Sequence, residues 1–327
     1  MQLMQAHQTA VDWDDRVLGA HTLPHYMQSS TWARTRADGP WSVSQRDLGL
    51  ERSHPVLSYE RDAEGFGTLQ HLPRVSGLEP ADIPALTRRL RADRGAAFAT
   101  KIEVYQPRDR RLVAAFEASG WLPTRASQYR HAVVVETAQG EEELLAGMKK
   151  RARGEIRIAE RNGVIARRVE LSAENRRCMI DLVRQTEERS GAFFRGTEYL
   201  ERVWSAHDGR IVSGSFVALY GTGAWYKDGG SLRDRPQLMA SRFLQWEIMR
   251  DLAASGIARY DLGHVPPPNE PHAPGQGVLT FKSAFARDVL EYMPAFQLSH
   301  EECAEAWRRG ESEFIAAHRA RTGDYWY

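Results

Sequence analysis

The sequence of 327 residues has only two cysteines, no long apolar run and almost no net charge. Cys178 and Cys303 stand far apart, so they provide neither a disulfide framework nor the paired cysteines of a zinc site. No stretch approaches the roughly 20 apolar residues of a membrane-spanning helix. The amino-terminal segment also lacks the basic and apolar regions of a signal peptide. We therefore expect a cytoplasmic protein, which could still make peripheral contact with a membrane surface.

The common motifs of several enzyme classes are absent as well. The chain has no Walker loop, no G-x-G-x-x-G, no G-x-S-x-G and no H-E-x-x-H, so NTPase, dehydrogenase, hydrolase and metalloprotease functions lack their parts. His264 and His272 lie in a Pro/Gly-rich loop without further metal-binding residues. We expect neither a metal nor a cofactor. Because 44 Lys and Arg residues face 43 Asp and Glu residues, any nucleic-acid site must be a local basic surface.

A helix-strand-helix-strand order occurs twice along the chain. The first copy starts with the helix and strand of residues 86–106 and ends with the strand SQYRHAVVVE. The second starts with the amphipathic helix of residues 238–256, continues with IARYDLGHV and GVLTFKSAF, and ends with the strand EYMPAFQLS. The sequence therefore predicts a duplicated α/β unit, and a chain of this length is typical of two domains.

This element order resembles the second half of an acyltransferase domain of the GNAT type. Neither copy has the glycine-containing pattern that opens a helix and binds the pyrophosphate of acetyl-CoA in such domains. A closer resemblance covers nearly the whole chain. The run YKDGGSLRDRPQLMASRFLQWEIMRDLAASGIARYDLGHVPP, with GVLTFKSAF, EYMPAF, QSSTWARTR, KIEVYQP and TEERSGAFFRGTEYL, is similar to the Fem-type (FemABX) aminoacyl-tRNA-dependent peptidyltransferases.

The resemblance implies an α/β (α+β) fold of two fused GNAT-like acyltransferase domains, each a mixed twisted sheet flanked by helices. We expect the first domain at 1–140, the second at 141–296, and residues 297–327 packed back onto the first. A compact, FemX-like member is expected, because about ten residues between Tyr199 and the next strand leave no room for the helical arm of larger members.

The function implied is transfer of an aminoacyl group from aminoacyl-tRNA to an amine of a peptidoglycan-precursor peptide, as in interpeptide bridge formation. The expected partners are aminoacyl-tRNA as donor and a UDP- or lipid-linked muramyl peptide as acceptor. Two alternatives remain open. One is a Fem-like enzyme of natural-product assembly that couples aminoacyl-tRNA to another amine, and the other is a non-catalytic GNAT-like binding module.

The resemblance, applied residue by residue, implies two candidate catalytic residues. Lys282, next to Phe281 in F-K-x-x-F, matches a lysine near the acyl-transfer centre, where an ammonium can stabilise an oxyanion. A lysine whose stem covers an apolar face is the alternative. Phe281 is assigned to substrate binding. Glu103 in KIEVY falls where relatives carry an acid that could orient or deprotonate the amine, although strand alternation alone could also place it there.

The expected substrate-binding residues are basic or aromatic. Arg195 and Tyr199, four residues apart, could share one helix face and bind the nucleotide-linked precursor, with the arginine on phosphate. Arg36 in WARTR matches a basic residue at the same diphosphate, although Arg34 is an alternative register. Tyr226 and Arg233 flank the loop before the long helix, where the acyl donor is expected.

A basic segment at 149–168 is the predicted tRNA-binding surface. On a helix, Lys149, Arg153 and Arg157 recur every four residues, and Lys150 lies beside them. Such a row can bind RNA phosphates with strong salt dependence. The alternative is a solvated helix face paired with neighbouring acids.

Overall fold

A computed structural model describes residues 12–190, 200, 210–212, 214–231 and 236–327. It divides the chain into two compact units. Unit 1 contains the described residues up to Arg130 together with Glu291–Tyr327, and unit 2 contains His131–Leu290. No helix in this described part is both long and apolar enough to cross a membrane.

Unit 1 is built on a six-stranded mixed sheet in the order β1-β2-β3-β4-β13-β5, in which β3 and β4 run parallel and the other neighbours antiparallel. Its strands are β1 (Ser42–Asp47), β2 (Pro55–Ala63), β3 (Gly67–Val75), β4 (Ala97–Val104), β5 (Leu122–Thr124) and β13 (Ala295–Ser299). Its helices are α1 (12–20), α2 (Ser30–Ala37), α3 (Ile83–Ala92), α4 (Arg110–Ala118) and α10 (Cys303–Thr322).

The central strand β4 is buried along its whole length, and its two faces differ in chemistry. Ile102 and Val104 enter an apolar core with residues of α3 and α4, among them Leu86 and Phe116. On the opposite face the alternate positions include Lys101 and Glu103, both buried. Charged side chains inside a sheet require partners that compensate for the loss of water, so this face of β4 must be lined by polar groups.

Unit 2 is built on a seven-stranded sheet in the order β12-β6-β11-β10-β9-β8-β7, with β10 and β11 parallel. Its strands are β6 (His131–Glu136), β7 (Arg168–Val169), β8 (Arg210–Val212), β9 (Ser215–Tyr220), β10 (Gly223–Gly229), β11 (Arg259–His264) and β12 (Val289–Glu291). Its helices are α5 (Glu141–Gly147), α6 (Lys150–Arg161), α7 (Ala173–Ser190), α8 (Ala240–Ala254) and α9 (Gln276–Lys282). The core packs α8 and α6 against this sheet through apolar residues such as Met249, Trp246 and Ile156.

The closing strands of the duplicated unit do not pair within their own copies. β6, which follows the first copy, pairs antiparallel with β11 in unit 2, and β13, which follows the second, pairs antiparallel with β4 in unit 1. The divisions therefore fall at 130/131 and 290/291 rather than at the expected 140/141 and 296/297. The physical reason is that a short apolar segment predicts a buried strand, but not the strand beside which it lies.

Candidate active site

The parallel strands β10 and β11 separate in the middle of the unit 2 sheet. Their pairing covers three positions and ends at Trp225 opposite Asp261, although β10 continues to Gly229 and β11 to His264. Each strand also has an irregularity at this point, in the pairing of β10 with β9 and of β11 with β6. Bulges of this kind redirect side chains and are common beside active sites. The pairing of β10 with β11 therefore ends where α9 brings a side chain to the two strands.

That side chain is Lys282. It is the last residue of α9 and 8% exposed, and its Nζ donates a hydrogen bond to the backbone carbonyl of His264 at 2.9 Å. The Nζ also lies 5.4 Å from the centroid of the Tyr226 ring on β10. The ammonium is therefore held between the two separating strands, one of which provides an acceptor and the other an aromatic face.

The Lys282 side chain is close to losing its proton under physiological conditions. Burial lowers the pKa of Lys282 to about 8, and the nearby Asp261 carboxylate opposes this effect. Burial, followed by the Lys282 charge, lowers the pKa of His264 as well, so this imidazole is neutral. At pH 7 the site therefore holds one ammonium, which can bind developing negative charge.

Tyr226 lies beside the Lys282 ammonium, just after the paired part of β10. Burial raises the pKa of Tyr226 to about 12, with a contribution from Asp228 and an opposing one from the hydrogen bond with Ser215. The phenol group is thus neutral and its hydroxyl is engaged with β9. Its predicted contact with substrate stays a prediction, whereas its contact with the lysine is a structural feature that the sequence did not indicate.

Phe281 of α9 is contacted by Arg242, which connects α9 with two other helices. The guanidinium of Arg242 on α8 lies 4.4 Å from the Phe281 ring and 5.3 Å from the Phe285 ring, and it donates to the Phe281 carbonyl. The same guanidinium donates to Glu155 on α6 at 2.7 Å. This arrangement fixes the end of α9, and with it the position of Lys282. Sequence reasoning missed Arg242 and Glu155, because they are 87 residues apart.

In unit 1, Glu103 is surrounded by hydrogen-bond donors. It accepts from the backbone N–H groups of Ser127 and Gln128, both at 3.0 Å, and from the Ser127 hydroxyl, and His71 Nε2 lies 3.2 Å away. Burial alone would raise the pKa of Glu103, but the His71 contact, the Lys101 charge and Ser127 outweigh it and hold the pKa well below its usual range. A carboxylate so engaged is a poor base, and this environment favours an anchor for the 127–128 backbone over the predicted catalytic role.

Arg36 lies in the last turn of α2, half-buried, with its guanidinium 5.1 Å from the centroid of the Trp41 ring. Its charge contributes to lowering the pKa of His71, after the larger effect of burial and against the attraction of Glu103. Arg34 is exposed and bonds to Thr31 at 3.1 Å within its own helix. Of the two candidate arginines, Arg36 is the one directed towards the polar face of the sheet.

A buried ion pair that the sequence did not predict lies beside Glu103. Lys101 Nζ donates to Glu311 of α10 and, at 3.0 Å, to the hydroxyl of Tyr327, whose ring centroid is 4.2 Å away. Lys101 and Glu311 are each 1% exposed as side chains. Because 210 residues separate them in the chain, no local sequence pattern predicted this ion pair. The pair ties the carboxy-terminal segment to the centre of the unit 1 sheet.

The basic residues expected to bind tRNA fall into two groups in the structure. Lys149 and Arg153 make internal bonds: Lys149 Nζ donates to Ser283 at 3.1 Å, and Arg153 bonds to the carbonyls of Leu145 at 3.2 Å and Met148 at 2.7 Å at the end of α5. Lys150 and Arg157 are exposed on α6, and Lys149 is exposed as well despite its bond to Ser283. Three further predicted residues, Arg195, Tyr199 and Arg233, lie outside the described residues.

The described ranges contain no group of three or more His, Cys, Asp or Glu side chains that could bind a metal ion. Unit 2 brings an ammonium near its pKa, a neutral phenol and the buried Asp261 carboxylate to strands β10 and β11. Of these groups, the Lys282 ammonium can stabilise an anionic intermediate.

Comparisons with known proteins show which fold this chain shares. Residues 146–273 match the acetyltransferase (GNAT) domain family, and no curated protein matches the sequence. Among solved structures, FemX is similar with a TM-score of 0.79 at 15% identity, covering 92% of this chain and 98% of that chain. The C-terminal (DUF2156) domain of a protein from Agrobacterium fabrum assigned as a lysylphosphatidylglycerol synthetase gives 0.56 at 15% identity, covering 95% and 97%. L-PGS from Bacillus licheniformis gives 0.50 at 12% identity, covering 83% and 89%.

The protein therefore has the fold of FemX, and a segment of unit 2 matches the acetyltransferase (GNAT) domain family. The expected resemblance to the Fem-type fold and the expected mixed α/β architecture are confirmed. At these identities the structural likeness establishes the fold, and the particular reaction has to be argued from the site.

Proposed function

We propose that this protein transfers an aminoacyl group from aminoacyl-tRNA to an amine of a peptidoglycan-precursor peptide. The observation that carries the proposal is the buried Lys282 ammonium at the separation of β10 and β11. Attack of an amine on an ester carbonyl creates an oxyanion, and a fixed, desolvated cation stabilises that charge far more strongly than water does. The Fem-type resemblance of the sequence around this lysine supplies the donor and acceptor classes.

The proposed reaction is a direct transfer. The acceptor nitrogen attacks the ester carbonyl carbon of aminoacyl-tRNA, so that a C–N bond forms. The C–O bond to the ribose then breaks; the nitrogen gives up one proton and the ribose oxygen takes one. Because the ester is already activated, the main tasks of the enzyme are placing the amine within about 3 Å of the carbonyl and stabilising the tetrahedral intermediate. Lys282 has the second task.

The remaining residues are assigned to binding. Arg36, which is half-buried over Trp41, would contact a phosphate of the acceptor, and Arg195 and Tyr199 would join it as the resemblance implies. Tyr226, Phe281 and Arg233 would lie near the donor. Glu103 is retained as a support of the 127–128 backbone, which leaves removal of the amine proton to the substrates.

A transfer assay tests this function. Purified protein is incubated with tRNA charged with labelled amino acids and with a UDP-linked muramyl pentapeptide, and the pentapeptide is analysed by mass spectrometry. A mass gain of one amino acid that ribonuclease treatment abolishes is expected. A parallel reaction with the lipid-linked precursor identifies the form of the acceptor. No gain on either acceptor, with intact charged tRNA and folded protein, would overturn the proposal.

A further inference from the structure

Asp261 is a buried carboxylate that the proposed mechanism does not yet use. It lies on β11 at the last position paired with β10, opposite Trp225, and is 1% exposed. Its Oδ1 accepts a hydrogen bond from the backbone N–H of Gly263 at 2.7 Å. A charged group in such a place costs stability unless it interacts with a cation or with donors, so its presence calls for a function.

The bond to Gly263 shapes the strand where the lysine approaches. Gly263 has a φ of +74°, and a Cβ built on it would lie 3.3 Å from the Tyr226 carbonyl oxygen and 3.7 Å from Lys282 Nζ. The left-handed backbone is unfavourable for other residues, and a Cβ here would press on the Tyr226 carbonyl oxygen and touch the ammonium. The Asp261 carboxylate, by holding the Gly263 N–H, stabilises this turn of the backbone.

The charges around Lys282 also single out Asp261. From β11, His264 faces it as a neutral ring, and from β10 it meets the Tyr226 phenol. Lys149 at the start of α6 bonds to the adjacent Ser283, and Arg242 of α8 bonds to the adjacent Phe281 carbonyl but is paired with Glu155. Asp261 is the group whose negative charge acts on the lysine against its burial.

We infer that Asp261 is a positioning residue for Lys282, which fixes the backbone against which the ammonium lies and supplies the negative charge that keeps the lysine protonated. The catalytic part of this inference rests on the proposed function. The effect of Asp261 on the protonation of Lys282 does not depend on that function. In the transfer reaction, Asp261 makes the oxyanion-stabilising form of Lys282 the prevailing one at neutral pH.

The protonation of Lys282 can be followed by NMR, because the chain contains few lysines. Only five lysines occur, Lys101, Lys149, Lys150, Lys227 and Lys282, so protein labelled with ¹³C-lysine gives few side-chain resonances. The Lys282 signal is assigned by its loss in Lys282→Arg and is titrated with pH. In Asp261→Asn, whose amide oxygen can still accept from Gly263, we expect the pKa of Lys282 to fall by about one unit or more. The alkaline limb of the transfer rate should move to lower pH by the same amount.

Two further variants separate charge from structure. Asp228→Asn removes another buried carboxylate, on the neighbouring strand β10, and should leave the Lys282 titration unchanged. Asp261→Glu keeps the charge and should keep the Lys282 titration within about half a unit of the original, a result that stands even where Asp261→Asn fails to fold.

An unchanged Lys282 titration in folded Asp261→Asn, or a titration in folded Asp261→Glu that has fallen by one unit or more, would overturn the inference. Because the titration needs no substrate, it gives a result even where the protein transfers no aminoacyl group. A changed titration with no transfer by the unaltered protein would thus reject the proposed function and retain the role of Asp261 towards Lys282.

Discussion

Lysine is rare in this chain, and two of its five lysines, Lys101 and Lys282, are buried. Arginine supplies nearly all of the other positive charge. The difference matters because an arginine side chain keeps its proton at any physiological pH, whereas a buried lysine can lose it. Lys101 is neutralised by Glu311 within hydrogen-bond distance, but Lys282 bonds to a backbone carbonyl. A lysine held in this way is costly for the fold and useful for chemistry.

Lys282→Met should therefore make the protein more stable at pH 7. The fall of the lysine pKa from 10.5 to about 8 corresponds to about 3 kcal/mol of destabilisation, reduced by about 1 kcal/mol for the missing hydrogen bond. We expect a net gain of about 2 kcal/mol in urea unfolding. The gain should shrink as pH rises from about 8 to 10.5, because native Lys282 loses its proton there before the unfolded chain does. A Lys282→Met protein less stable than the original would contradict the buried ammonium.

The rate of transfer should fall on the alkaline side with an apparent pKa near 8, because the ammonium that stabilises the oxyanion is lost as pH rises through that value. Lys282→Arg retains its charge, so its slower reaction should show no such limb up to about pH 10. Single-turnover rates at saturating substrate measure this directly. An identical alkaline limb in both proteins would assign the titration to another group.

Glu103→Gln distinguishes an anchor from a base. Replacing the carboxylate weakens several charge-assisted hydrogen bonds, so the free energy of unfolding should fall by about 2 kcal/mol at pH 7. Because the native pKa of Glu103 is depressed, this difference should begin to shrink as pH falls below the ordinary range of a glutamate and should be lost only as pH passes the lower native pKa. Transfer by the folded variant should stay within about tenfold of the original, whereas loss of a general base would cost about 10² to 10⁴.

At the scale of elements, apolar periodicity predicted most of the helices and strands that frame the site. The helix predicted at 238–256 is α8, and IARYDLGHV contains β11. GVLTFKSAF includes all of α9 except its first residue, and this helix ends at Lys282 itself. The separation of β10 from β11 was not predictable in this way. It depends on a backbone turn at Gly263 held by Asp261, and a D-L-G triplet has no periodicity to reveal it.

The exposed basic residues of helix α6 lead to a prediction about tRNA binding. Lys150 and Arg157 are exposed, so alanine at either position should weaken binding of charged tRNA and lower the slope of log affinity against log salt by about 0.7 to 0.9 for each phosphate that is no longer neutralised. Arg88→Ala, which removes an exposed arginine from α3 in unit 1, is the matched control and should leave both quantities unchanged. Equal slopes for all three variants, measured by filter binding, would favour a merely solvated helix face.

At the scale of the whole molecule, the duplicated α/β unit was visible in the sequence, but the partners of its closing strands were not. β6 and β13 each carry the apolar residues of a buried strand, but these residues do not specify which sheet buries them. The sequence also gave no local signal of the buried pair Lys101 and Glu311, because the two residues lie far apart in the chain. Local patterns specify elements, whereas strand order and buried ion pairs depend on contacts between distant parts of the chain.

The most direct test of the role proposed for Lys282 is the single-turnover transfer rate of Lys282→Ala, measured together with its affinity for the muramyl pentapeptide acceptor. We expect the rate to fall by about 10² to 10³ while acceptor binding is retained, because the interaction that alanine removes exists only in the transition state. A variant that binds the acceptor poorly but turns over at the original rate would show that Lys282 acts in binding, and would contradict its central role in stabilising the oxyanion.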